Sequence, residues 1–160
     1  WKMTFKLSNS SRAKLEGVHP LLVKVIETAI QRTQTDFGVV CGVRTLAEQQ
    51  ELFDKGASKT MTSNHLVQDD GYSHAVDLMA YVGSRGSWEL SLYDDLADAM
   101  KIAAEEHGAH IRWGGSWTVD DIRTWDGTME EAMNSYVDLC RSQDRRPFID
   151  GPHFELRSLA

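Results

Sequence analysis

At 160 residues, 41% of them hydrophobic and 26% charged, the chain has the makeup of an ordinary globular domain that can bury a core without disulfide staples. A formal net charge of −7 argues against phosphate-driven nucleic-acid binding and gives no reason to expect an anionic membrane surface as partner. No apolar run approaches bilayer-spanning length, and no charged-then-apolar leader opens the chain. Trp1 and Lys2 stand ahead of Met3, the expected natural start, and residues 3–160 read as one domain without repeats or linkers. Cys41 and Cys140 fall outside any CxxC spacing and read as two buried free thiols of a protein folded in a reducing compartment.

In chain order, residues 20–33 predict a helix. Pro20 suits its first turn, and Leu22, Val25, Ile26, Ala29 and Ile30 recur at helical spacing. The β-branched run 38–43 predicts a strand. Thr45 and Glu48 form a capping box that opens a helix to about Asp54, short of Gly56. Residues 55–72 read as loop, 75–81 as a strand and 84–87 as a turn. Leu92, Leu96, Ala99, Met100 and Ala103 mark a helix stopped by Gly108, followed by a short strand at 110–113 and the Gly114-Gly115 loop. A helix over 128–142 and a closing strand at 152–156 complete an α+β expectation: a small, mainly antiparallel sheet packed with helices.

Chemistry concentrates at His65, Asp77 and His153, which offer two imidazoles and a carboxylate as a metal set with one position open. Strand alternation puts Ala75 and Asp77 on one face and His74 on the other. A carboxylate between Val76 and Leu78 is costly to bury without a partner, and a metal resolves that cost. On the last strand His153 and Glu155 share a face, so either Asp150, ahead of a Gly-Pro turn, or Glu155 can serve as general base. Arg44 can hold a substrate carboxylate or an oxyanion, though a surface salt bridge is the plainer reading. Trp113 and Trp117 flank Gly114-Gly115, as a groove wall or as core packing. His19 and His107 sit at helix ends, where a histidine has structural work to do. From chemistry alone the pattern points to a zinc hydrolase and no further.

Four segments in one order carry a resemblance: Val39 to Thr45 with Glu48-Gln49, Ser63-Asn64-His65 with Ala75-Val76-Asp77-Leu78, Trp113-Gly114-Gly115-Ser116-Trp117, and Asp150-Gly151-Pro152-His153-Phe154-Glu155. The chain resembles zinc peptidases of the D-alanyl-D-alanine carboxypeptidase/dipeptidase class. More narrowly it resembles phage endolysins that cleave the L-alanyl-D-glutamate bond of peptidoglycan. The resemblance implies a sheet-borne zinc site with His65, Asp77 and His153 as ligands, Asp150 as general base and Arg44 as substrate and oxyanion group; beside it, the groove-wall reading puts Trp113 and Trp117 at the substrate. It further implies peptidoglycan as partner, a monomer, storage in the host cytoplasm and action on the wall at lysis. A D,D- or L,D-carboxypeptidase is the enzymatic rival, and a non-catalytic wall-binding module the rival from another class.

One departure stands out. The family joins its first His to its Asp as His-x-x-Gly-x-Ala-x-Asp, whereas here five further residues intervene and Ser73 replaces the Gly. Residues 67–72 read as an insertion bulging away from the metal. Asp69-Asp70 within it offer oxygen ligands to a second, hard cation such as calcium, against the simpler reading of a solvated acidic turn.

Overall fold

The computed structural model describes residues 4–157, so the expectation about Trp1, Lys2 and Met3 lies outside the described residues. The strands β1 (Asp36–Cys41), β2 (Ala75–Val82), β4 (Ile111–Trp113) and β5 (His153–Leu156) lie in the order β1-β2-β5-β4, and β3 (Arg85–Ser87) pairs with the far end of β2. These strands pair with one another antiparallel throughout. The expected α+β class holds. Residues 84–87, expected as a turn only, include a strand because Gly86 and Ser87 fold back on Tyr81 and Ala80.

Helices α2 (Pro20–Arg32) and α4 (Leu90–His107) pack together and cover one face of the sheet. The residues picked out by helical spacing in α2 are the ones it buries: Leu22, Val25, Ile26, Ala29 and Ile30. They meet Leu96, Met100 and Ala103 of α4 and Val76, Leu78 and Ala80 of β2 in a single apolar core. Gly108 ends α4 in the left-handed conformation (φ 63°), where a residue without Cβ is least strained. Helix α5 (Met129–Ser142) begins at the expected Thr128, whose hydroxyl accepts from Glu131 N. Helix α1 (Asn9–Lys14) and a 3-10 turn at Ile122–Thr124 lacked a readable pattern, each being too short for one.

Helix α3 (Leu46–Asp54) is different. Its capping box forms as expected, with Thr45 Oγ1 accepting from Glu48 N and Glu48 Oε1 accepting from Thr45 N, both at 3.1 Å. Yet the one residue it buries is polar, Gln49. This helix roofs a cleft rather than a core.

Candidate active site

The sheet register builds the centre. Asp77 on β2 lies opposite His153 of β5 on one side and Cys41 of β1 on the other. Directly opposed residues share a face, so three chemically active side chains form a row across three strands. A bulge makes the β1 end of this row. Val39 opposes Leu78 and Cys41 opposes Asp77, so Val40 is the extra residue and the thiol, rather than an isopropyl group, meets the carboxylate.

His65 arrives from the loop after α3. Its carbonyl accepts from Arg44 N at 2.9 Å, and its Nδ1 donates to the Gly42 carbonyl at 2.8 Å. That bond fixes the tautomer and leaves Nε2 facing Asp77 Oδ2 at 3.3 Å. His153 is set the opposite way. Its Nε2 donates to Glu155 Oε1 at 2.8 Å, which leaves Nδ1 3.4 Å from Asp77 Oδ1.

His65 Nε2 and Asp77 Oδ1 are buried without a hydrogen-bond partner, an arrangement that is expensive unless another group completes it. Two clusters of ligating atoms meet at Asp77. Those of Cys41, His65 and Asp77 lie within 4.8 Å of one another, as do those of Asp77, Asp150 and His153. Two imidazoles with their outer nitrogens occupied, sharing a carboxylate, suit a divalent cation of the zinc type. The residues fit a metal.

Electrostatics agree. Burial alone would raise the pKa of Asp77, but the facing imidazoles of His153 and His65 outweigh it and hold the carboxyl far below its usual range. Burial alone would discharge the two imidazoles, yet Asp77, aided by Cys41 at His65 and by Glu155 at His153, drives both pKa values up. Raised imidazole pKa values favour protons on the rings facing Asp77, and a cation taking the same nitrogens would displace them. Asp150 shifts upward, chiefly through burial and then through the Asp77 charge, with His153, His65 and Arg44 pulling the other way. A carboxyl raised toward neutrality beside a metal site suits proton transfer.

Asp150 owes its place to a glycine. Its N–H donates to the Gly114 carbonyl at 2.9 Å, and a Cβ on Gly114 would stand 2.2 Å from the Asp150 carbonyl oxygen. The Trp-Gly-Gly run is thus a seat for the Asp150 turn. Trp113 itself is a correction. Expected with Trp117 at the substrate, it is fully buried in the core with its indole N–H on the Gly151 carbonyl, and it does not line the cleft. Trp117 does line it, stacked on Phe148 and tilted over His153 at centroid distances of 6.2 and 5.6 Å.

The cleft encloses about 380 Å³, with Arg44, His65, Asp77, Asp150 and His153 along its floor and walls. Arg44 Nη1 donates to Gln49 Oε1 at 2.8 Å, and its Nη2 is 3.5 Å from Asp77 Oδ2. Glu155, the alternative base, is buried and occupied, with Oε1 on His153 and Oε2 3.2 Å from Arg157 Nη1. His74 turns away to Asp70 at 2.7 Å, as strand alternation requires. No residue of the 67–72 insertion lines the cleft, and no three-residue metal cluster among the described residues includes Asp69 or Asp70.

Two contributors escaped the sequence reading. Cys41 was expected as a buried free thiol; it is half-buried, 3.7 Å from His65 Nδ1, because the β1 bulge turns it there. Gln49 drew notice only as part of a motif, although a buried amide in an exposed helix marks a network.

A mainly antiparallel α+β fold that gathers two imidazoles around one carboxylate, with a second carboxylate beside them, is a framework that suits a hydrolase and could hold a metal ion. The family model described as phage L-alanyl-D-glutamate peptidase matches residues 3–157. The L-alanyl-D-glutamate peptidase of Escherichia phage T5 is 29% identical over 136 residues, spanning 78% of this chain and 96% of that protein. The crystal structure of the Serratia marcescens L-Ala D-Glu endopeptidase ChiX superposes with a TM-score of 0.69 at 32% identity, covering 95% of this chain and 90% of that one. The chain belongs to the phage L-alanyl-D-glutamate peptidase family, and it is a peptidase.

Proposed function

We propose that this chain is a zinc-dependent endopeptidase that hydrolyses the L-Ala–D-Glu bond of peptidoglycan stem peptides during phage lysis. The carrying observation is the pair of locked imidazoles. With Nδ1 of His65 on Gly42 and Nε2 of His153 on Glu155, both remaining ring nitrogens face Asp77. His65 Nε2, Asp77 and His153 Nδ1 are the ligands on this reading. Cys41 is set aside because its sulfur lies against the outer nitrogen of His65.

A bound zinc supplies Lewis acidity and makes water a competent nucleophile near neutral pH. Asp150 orients the attacking water, takes its proton and delivers it to the departing D-glutamyl nitrogen, a role its raised pKa supports. Arg44, held by Gln49, stabilises the developing oxyanion. Trp117 packs on the substrate as it packs on His153. Residues 3–160 act as one catalytic domain, a reading supported by the single apolar core. The protein works as a monomer and is held in the host cytoplasm until lysis. Among the described residues no helix is long and apolar enough to cross a membrane.

Mass spectrometry of purified peptidoglycan treated with zinc-loaded protein, beside a chelated control, tests this. Chelator-sensitive release of peptides beginning at D-Glu is expected. Loss of terminal D-alanine alone would make the protein a carboxypeptidase, and no release would favour a wall-binding module.

A further inference from the structure

The metal centre leaves one cation of the cleft unaccounted for. Arg44 and Lys59 bring the fixed positive charge among its described lining residues. Arg44 is committed to Gln49, Cys41 and Asp77. Lys59 takes part in no ion pair among the described residues. Its Nζ sits 4.9 Å from the centre of the Phe148 ring. Phe148 stacks on Trp117, and Trp117 leans on His153, so a continuous aromatic wall joins the ammonium to the metal centre.

A lysine on an exposed loop usually wanders, but the flanks of this one are fixed. Gln49, fully buried, donates through Nε2 to Ser58 Oγ at 2.8 Å and to the Thr60 carbonyl at 2.6 Å. Its Oε1 accepts from Arg44. One buried amide thus ties the residues on either side of Lys59 to the arginine at the floor of the cleft. A buried amide is retained at low cost only when its donors and acceptor are satisfied, and here all are engaged.

The bond named by the family lies between two residues of unlike charge. Alanine contributes a methyl group. The D-glutamyl residue carries two carboxyl groups, and only one can continue the chain, so the other is a free anion unless amidated. The negative charge beside the scissile bond therefore lies on the leaving side.

We propose that Lys59 is a specificity-determining residue whose ammonium binds the free carboxylate of the D-glutamyl side of the substrate. It thereby orients the leaving group along the Phe148–Trp117 wall. This rests on the function proposed above and names the substrate chemistry that the cleft selects. The loop segment is an anionic-peptide reader, with Gln49 as its positioning residue.

Steady-state kinetics of the zinc-loaded full chain on two synthetic stem peptides provide the test. The peptides are identical except that the free D-glutamyl carboxyl is either an acid or a carboxamide. The native chain should prefer the acid by about tenfold in kcat/KM, mainly through KM, the size of one charge-assisted contact at a partly solvated rim. Lys59→Gln should collapse that ratio toward one, Lys59→Arg should retain most of it, and added salt should erode it. An equal ratio in native and Lys59→Gln protein, with both peptides cleaved, overturns the role of Lys59. Cleavage of neither peptide by the native chain refutes the underlying activity instead.

Discussion

Asp77 is shared by two clusters, and single substitutions separate their roles. Asp150 lies beside the proposed ligands without being needed to satisfy either imidazole, so Asp150→Asn should retain one zinc per chain while lowering kcat by about 10²–10⁴-fold. Loss of zinc in that variant, read by metal analysis, would make Asp150 a ligand. Cys41→Ser probes the other cluster. Because its sulfur faces the outer nitrogen of His65, zinc stoichiometry should be unchanged; a metal-free serine variant would bring the thiol into the coordination set. Glu155 acts through His153, whose Nε2 it holds at 2.8 Å. Glu155→Gln should weaken zinc affinity about 10–100-fold in competition with a chromogenic chelator, with the fold intact.

Among the elements, the Gly114 turn seats Asp150, the proposed base. A Cβ there would collide with the Asp150 backbone, which a strand-capping turn bonded at both ends cannot yield freely. Gly114→Ala should cost about 1–3 kcal/mol of stability by overpacking and more than tenfold in kcat by moving Asp150, with zinc retained. Unchanged turnover in a destabilised variant would show that Asp150 need not be held so closely. Helices α2, α3 and α4 were legible because apolar spacing in α2 and α4 and the Thr45 capping box of α3 are local signals. The row Cys41–Asp77–His153 was not. It depends on strand register and on the β1 bulge, which long-range pairing sets. The same limit explains Trp113: the glycines after it marked a loop, but only the packed sheet shows that this last residue of β4 points into the core.

At the scale of the whole molecule, metal binding and folding are linked through protons. In the metal-free chain the imidazoles of His65 and His153 have raised pKa values, so the stability they lend is complete below about pH 6.5 and is lost as pH climbs above it. Asp77 is shifted down, so its contribution is present above about pH 3.9 and disappears as pH falls through its lowered value. The metal-free fold should thus be favoured most in mildly acidic solution. On the proposed ligand set zinc takes the same nitrogens only after their protons leave, so its affinity should climb about tenfold per pH unit for each proton displaced. The stabilisation by saturating zinc should rise correspondingly, by about 3–5 °C in Tm per pH unit between pH 6 and 8 for each such proton. Thermal melts with zinc and with chelator at pH 6, 7 and 8 measure this directly. An increment independent of pH would mean that the two imidazoles are already neutral in the metal-free chain at these pH values.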